Sequence, residues 1–206
     1  MDDPFLGMQA RNLALVDAYL TDMEREVLHR HVELERTPVP EIITLSAFSQ
    51  LWVFGFYELL RTWRQRCRDL VAFRRRYDAT PDSELQSTLA DEVDSGLSPS
   101  GIQGLAQEDL RHRLEAATIG PLADQMEAAL ARTREPFRRL ESLRVTLAKH
   151  EIPKARGIPT TAPGYARQNM LDGSLTWFVE LKDGTQDLVT RSQVVDDFIA
   201  TSLSAQ

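Results

Sequence analysis

The sequence predicts a mainly α-helical protein: a helical bundle that carries a small C-terminal antiparallel β-meander and a final helix. Two observations support this prediction. Apolar residues recur at spacings of three and four over most of residues 9–147. From Thr160 onward, short runs with strand character are separated by Asp-Gly dipeptides, which favour hairpin turns. We therefore expect a bundle domain over residues 1–155 and an appendage over 156–206 packed on it, because three strands form too small a sheet to be stable alone.

The first predicted helix covers roughly residues 9–35. Its stripe repeats at helical spacing and comprises Leu13, Val16, Leu20, Met23, Val27 and Leu34. Pro38 and Pro40 mark its end, because proline cannot continue a helix and biases its predecessor toward extended geometry. Thr44 or Ser46 is the predicted N-cap of the next helix.

The central helix is predicted from about Ser46 to Tyr77 and contains the most apolar and aromatic stretch of the chain. Its widest apolar face comprises Phe48, Leu51, Trp52, Phe56, Leu59 and Trp63. Val53, Phe54 and Leu60 leave little of the other side polar, so we expect neighbours to cover this helix nearly all round. A membrane span is the competing interpretation, but polar residues such as Gln50 and Glu58 interrupt the apolar run.

Further helices follow, with clear breaks between them. A short helix is predicted over residues 80–93 and a loop over 95–104. Helical periodicity returns over 105–119, stops at Gly120-Pro121 and resumes over 122–147. Pro136, inside the last run, either kinks one long helix or starts a new one, and the sequence leaves both open.

The C-terminal segment is predicted to form three strands, at residues 165–170, 174–181 and 185–189. The alternation within the middle strand places Trp177 on the face that packs against helices. Thr190 followed by Gln193 forms a capping box that starts the final helix.

The charge balance limits the classes of partner. A net charge of −7 disfavours broad, nonspecific nucleic-acid binding. One local concentration of arginines follows the aromatic stretch: Arg61, Arg64, Arg66, Arg68, Arg74, Arg75 and Arg76. It is either a solvated helix end or a phosphate-binding stripe, with Arg61, Arg64 and Arg68 as the candidate phosphate contacts.

Several kinds of site have no support in the sequence. There is no Gly-rich phosphate loop, no G-x-S-x-G, no H-E-x-x-H and no C-x-x-C. His29 and His31 point about 200 degrees apart on a helix and cannot bind one metal together. We therefore expect no metal and no cofactor. The single cysteine, Cys67, and the lack of a basic-then-apolar N-terminal signal predict a cytoplasmic protein with no membrane association.

One pair of residues remains as a candidate catalytic motif. Arg144 is followed after five residues by His150, near the end of the last bundle helix. This resembles the signature of the HEPN superfamily, compact helical bundles with an Arg, four to six residues and a His late in the domain. The resemblance implies a homodimer and metal-independent RNA cleavage or RNA binding, in a bacterial defence or toxin–antitoxin type of system. Arg144 would then stabilise charge on the phosphate, and His150 would act as acid or base or orient the 2′-hydroxyl.

Two alternatives stay open. Arg25 and His31 also match the same spacing. The protein is otherwise a non-catalytic helical interaction module, in which Arg144 pairs with a nearby glutamate and His150 caps carbonyls at the helix end. In that case its partner would be another protein.

Overall fold

The described part of the chain is mainly α-helical. The computed structural model describes residues 4–81, 84, 87, 91, 103–148, 166–180 and 184–203. The helices are α1 (Pro4–Leu34), α2 (Val39–Asp78), α3 (Gln103–Ile119), α4 (Leu122–Arg132), α5 (Arg134–Ala148) and α6 (Arg191–Leu203). The strands are β1 (Arg167–Gln168), β2 (Leu175–Glu180) and β3 (Gln186–Thr190). The predicted fold class, a helical protein with a C-terminal meander and a final helix, is confirmed.

The chain divides into two compact units. One comprises Arg61–Arg132, and the other comprises Asp2–Leu60 together with Thr133–Gln206. The boundaries therefore fall inside α2 and between α4 and α5. The predicted domain boundary near residue 155 lies outside the described residues.

The start of α2 corrects one prediction. The helix begins at Val39, so neither Thr44 nor Ser46 is its N-cap. Pro40 lies in the first turn, where the N–H that proline lacks would have no partner within the helix. The amide of Ile42 donates to the carbonyl of Pro38 at 3.1 Å. Prolines that were predicted to separate two helices therefore stand at the start of the second one.

Proline also starts a helix later in the chain. A break at Thr133 separates α4 from α5, and Pro136 lies in the first turn of α5. The structure thus favours a new helix over a kinked one. Gly104, predicted in a loop, lies within α3, whereas most of the predicted helix over residues 80–93 and most of the predicted loop lie outside the described residues.

The unit formed by Asp2–Leu60 and Thr133–Gln206 has a core shared by helices and sheet. Trp177 of β2 is 1% exposed and confirms the predicted inward face of that strand. The main buried residues around it are Leu20, Val27, Leu45, Trp52, Val53, Leu140, Leu143, Leu175 and Val179. The meander therefore shares one apolar core with α1, the first part of α2 and α5, which is how a small sheet gains stability.

The sheet has the order β1-β2-β3, with both pairs antiparallel. Gly173, in the turn before β2, has a φ of 80°, a conformation that favours glycine. Thr190 and Gln193 form the predicted capping box: the Thr190 amide donates to Gln193 Oε1 at 3.0 Å, and the Gln193 amide donates to Thr190 Oγ1 at 3.1 Å.

The unit formed by Arg61–Arg132 has a separate core. Its buried apolar residues come from the second part of α2, from α3 and from α4: Cys67, Leu70, Val71, Phe73, Leu114, Ala117 and Met126. Each unit can therefore be described by its own hydrophobic cluster.

The central helix is not covered all round, which corrects a second prediction. Leu45, Ser49, Trp52 and Val53 are buried on one side of α2, but Leu51 is 64% exposed. Large apolar residues before it on α2 are exposed as well. The apolar periodicity therefore predicts the helix but does not show how much of its surface other elements cover.

Candidate functional site

Arg144 lies on α5 in a row of stacked aromatic groups. Its guanidinium carbon is 5.3 Å from the centroid of the Tyr57 ring. The Tyr57 ring in turn stacks on Phe137, with centroids 5.5 Å apart and planes 22° apart. Phe137 and Arg144 are seven residues apart, so α5 presents both on the same face. This arrangement orients a half-buried cation through a cation–π contact.

The remaining member of the predicted motif, His150, lies outside the described residues. The alternative pair is on α1, where Arg25 donates to Asp22 Oδ1 at 3.1 Å at the surface and His31 is half-buried. An exposed pair three residues apart on a helix is an ordinary surface ion pair.

The candidate phosphate contacts have different environments. Arg64 is buried and donates from Nη1 to the carbonyl of Leu130 at 3.3 Å, whereas Arg61 and Arg68 are exposed. Farther along, the Arg74 side chain binds both carboxylate oxygens of Asp78 at 2.7 Å. At least part of the arginine run therefore satisfies groups of the protein itself.

Among the described residues, the structure supports neither a metal-binding cluster nor a reactive cysteine. No group of three or more His, Cys, Asp or Glu residues in this part of the chain could hold a metal ion. Cys67 is 1% exposed, and burial raises the pKa of its thiol to about 11. Because the thiolate is the reactive form, this cysteine is inert at neutral pH.

A buried arginine at the start of α6 forms a polar cluster that sequence reasoning missed. Arg191 is 1% exposed and donates from Nη2 to Thr21 Oγ1 and to Glu24 Oε2, each at 2.9 Å. Its Nη1 donates to the carboxylate of Asp17, and its guanidinium carbon lies 5.8 Å from the centroid of the Trp52 ring. The cluster connects α6 to α1 and α2.

Glu24 is the buried acid of this cluster. Burial raises the pKa of its carboxyl above the ordinary value of 4.5, and the charge and hydrogen bond of Arg191 oppose that rise. A fully buried arginine that is bound on several sides by its own chain holds the fold together and does not reach a ligand.

An apolar surface on α1 and α2, which we call the outer apolar face, is open to a partner. Its members are between 46% and 72% exposed. They are Phe5, Met8, Leu15 and Tyr19 on α1, and Ile43, Phe48 and Leu51 on α2. Large apolar side chains exposed on neighbouring helices are typical of an interaction site.

Two contacts show that the parts of this face on α1 and α2 adjoin. Arg30 of α1 forms an ion pair with Glu41 of α2. Arg30 lies eleven residues after Tyr19, and Glu41 lies seven residues before Phe48, so each pair shares one side of its helix. Trp52 Nε1 donates to the carbonyl of Leu13 at 2.9 Å and fixes the level at which α1 and α2 meet. Tyr19 and Phe48 therefore border the same groove.

Among the helices that the structure describes, α2 is long and apolar enough to cross a membrane by length and composition. One such helix is weak evidence for a span. Of its most apolar 18-residue stretch 22% is buried inside the protein, and Trp52 and Val53 belong to the hydrophobic core.

No family model, curated protein or solved structure gives a significant match to this chain. The functional assignment therefore depends on its own residues and their geometry.

Proposed function

We propose that this protein is a non-catalytic helical interaction module that binds another protein chain through the outer apolar face. The observation that carries the proposal is the exposure of seven large apolar side chains on α1 and α2. Water penalises exposed apolar area by about 25 cal/mol per Å², so covering these side chains supplies a driving force for association.

The rest of the structure is consistent with a binding role. Arg191 ties α6 to α1, and Trp52 ties α2 to α1, so the two helices that carry the face are held in a fixed arrangement. A rigid surface loses little conformational entropy on binding. The net charge of −7 favours a protein partner over the phosphate backbone of a nucleic acid.

Site-specific photocrosslinking in living cells tests this proposal. A benzophenone amino acid replaces Leu15, which is 72% exposed, in the full chain. The matched control carries it at Leu188, which is 53% exposed on β3. We expect protein adducts from position 15 and not from position 188. No adduct at position 15, or equal yields at both positions, would contradict the proposal.

A second candidate function is metal-independent cleavage of RNA by Arg144 and His150. The observation that favours it is the position of Arg144, a half-buried cation oriented by the Tyr57 ring. Under this proposal purified protein cuts single-stranded RNA in the presence of a chelator, and replacing either residue by alanine abolishes cutting.

The control for this assay is Arg138→Ala, an exposed arginine on the same helix. Arg144→Ala should lower stability by less than about 1 kcal/mol, because within the described residues Arg144 makes a cation–π contact with the Tyr57 ring. Intact RNA after incubation with the unmodified protein refutes the catalytic function. Cutting that persists in the Arg144→Ala variant refutes the assignment of the site.

A further inference from the structure

The outer apolar face has a regular pattern along α1. Phe5, Met8, Asn12, Leu15 and Tyr19 follow one another at spacings of three, four, three and four residues. This is the spacing by which one helix packs lengthwise against another helix. All five residues are exposed, and the polar one, Asn12, stands at the centre.

We infer that the outer apolar face binds a second copy of this chain, with the two α1 helices antiparallel and crossing at Asn12. The inference rests on the proposed function and names its partner. In this arrangement the two-fold axis passes beside Asn12, so that Phe5 of one copy lies level with Tyr19 of the other. Met8 likewise lies level with Val16, which is 42% exposed. The face is therefore complementary to itself, as a two-fold interface requires.

Asn12 sets the register of this pairing. A side-chain amide both donates and accepts, so two Asn12 amides that meet on the axis satisfy each other. A shift of the register by one turn places each amide against the apolar residues of the other copy, where a buried polar group without a partner is costly. A single polar residue in an apolar helix seam fixes register in the same way.

Charge disfavours the parallel direction. After Tyr19 the same stripe continues with Asp22 and Glu26, which are both exposed. A parallel pair would place each acidic residue opposite its own copy, and like charges in such positions repel each other. In the antiparallel pair, both residues extend past the stripe of the partner helix. The two helices are then matched only over the apolar part of their length.

The area is sufficient for a stable dimer. The α1 stripe together with Phe48 and Leu51 presents roughly 800 Å² per copy, which equals the contribution of one partner to a standard interface. Phe48 and Leu51 extend the contact from α1 onto α2. A lipid surface would be the other apolar occupant, but anionic headgroups repel a chain with a net charge of −7.

Sedimentation of the purified full chain at micromolar concentration provides the first test. We expect a dimer for the unmodified protein and a monomer for Leu15→Glu, with unchanged circular dichroism because Leu15 is exposed. The control Leu188→Glu makes the same substitution at an exposed position on β3 and should remain dimeric. A monomeric unmodified protein, or binding to phosphatidylcholine vesicles that Leu15→Glu removes, overturns the inference.

Disulfide trapping tests the geometry. Asn12→Cys should form an intermolecular disulfide under mild oxidation, because the two residues face each other across the axis. Met8→Cys should not, since an antiparallel pair places the two copies of residue 8 about 12 Å apart along the helices. Ala14→Cys, two residues from Asn12 and on the opposite side of α1, is the second control. Buried Cys67 does not compete.

Each outcome has a distinct meaning. Equal trapping at positions 8 and 12 overturns the antiparallel direction, and no trapping at position 12 overturns the pairing. If the purified chain is monomeric while position 15 still crosslinks to a different protein in cells, the inference fails and the proposed function stands. If neither dimer nor adduct forms, both fail.

Discussion

Replacing Arg191 by methionine tests the buried cluster that joins α6 to α1. Methionine keeps the long unbranched stem but removes every donor. It eliminates the bonds to Thr21 and Glu24, each 2.9 Å long, the ion pair with Asp17 and the contact with the Trp52 ring. Glu24, which is 5% exposed, would then keep a carboxylate in the core without its cation.

The expected loss follows from that stranded carboxylate. Removing one partner of a buried ion pair typically costs about 3 to 5 kcal/mol, because the other charge remains without compensation. We therefore expect Arg191→Met to lower the free energy of unfolding by about this amount at pH 7. The more conservative Arg191→Lys variant keeps the charge but loses the fork geometry of the guanidinium. Its free energy of unfolding should therefore lie between those of the unmodified protein and Arg191→Met.

The loss should depend on pH. Burial already raises the pKa of Glu24 above 4.5 in the folded protein, and removal of Arg191 removes the influence that opposes this rise. The folded variant therefore takes up a proton on Glu24 at a higher pH than the unfolded chain does. Folded-state protonation stabilises the variant as the pH falls toward 4.5, so its deficit relative to the unmodified protein should shrink.

Urea unfolding followed by tryptophan fluorescence measures these differences, since Trp52 and Trp177 both lie in the affected core. The matched control is Arg138→Met, whose exposed pair with Glu135 should change stability by less than about 0.5 kcal/mol. A loss below about 1 kcal/mol for Arg191→Met, or a deficit that grows as the pH falls, would refute the reasoning.

Three further predictions concern other parts of the chain. Gly173→Ala should lower the free energy of unfolding by more than about 2 kcal/mol, because the φ of Gly173 is 80° and the new Cβ would lie 2.2 Å from the Glu24 carbonyl oxygen. Gly184 has a similar φ of 83° but open space around it, so Gly184→Ala should cost about 1 kcal/mol in the same urea titration. Trp177→Ala should cost about 3 to 5 kcal/mol, whereas a similar loss for the exposed Phe178→Ala would show that the faces of β2 are misassigned. Cys67, with a thiol pKa of about 11, should not react with a thiol reagent at pH 8 until urea unfolds the protein, and rapid native labelling would contradict its burial.

Much of the fold could be predicted because it depends on local patterns. The spacing of Leu13, Leu20 and Val27 predicts α1, and the Asp-Gly dipeptides predict the turns of the meander. The start of α2 and the break before α5 have one cause. A proline shows that the preceding helix cannot continue, but the same residue is well suited to the first turn of the next helix. Pro40 and Pro136 both occupy that position. As a result α2 begins earlier than hydrophobic periodicity alone would place it, and of the two alternatives left open at Pro136 the structure has the new helix.

The buried arginine could not be predicted in this way. Arg191 directly follows the capping residue Thr190, and nothing in the local sequence distinguishes it from a surface arginine. Its partners on α1 are between 167 and 174 residues away along the chain. Only the tertiary arrangement of α6 against α1 places Asp17 and Glu24 around it, and burial is what turns those contacts into a strong constraint.

The outer apolar face shows a different limit of the same reasoning. Phe48 and Leu51 were predicted to be covered because they belong to the most apolar stretch, and the pattern that places them on a helix is correct. Whether such a residue is buried, however, depends on which other elements of the fold pack against that side of the helix. A three-stranded sheet, α5 and α6 cover one side of α1 and α2, and within the described residues of their unit the outer face is left exposed. The α1 residues Phe5, Met8 and Leu15 repeat with the regularity of a helix-packing seam, so their exposure is a property of the isolated chain that a second copy would remove.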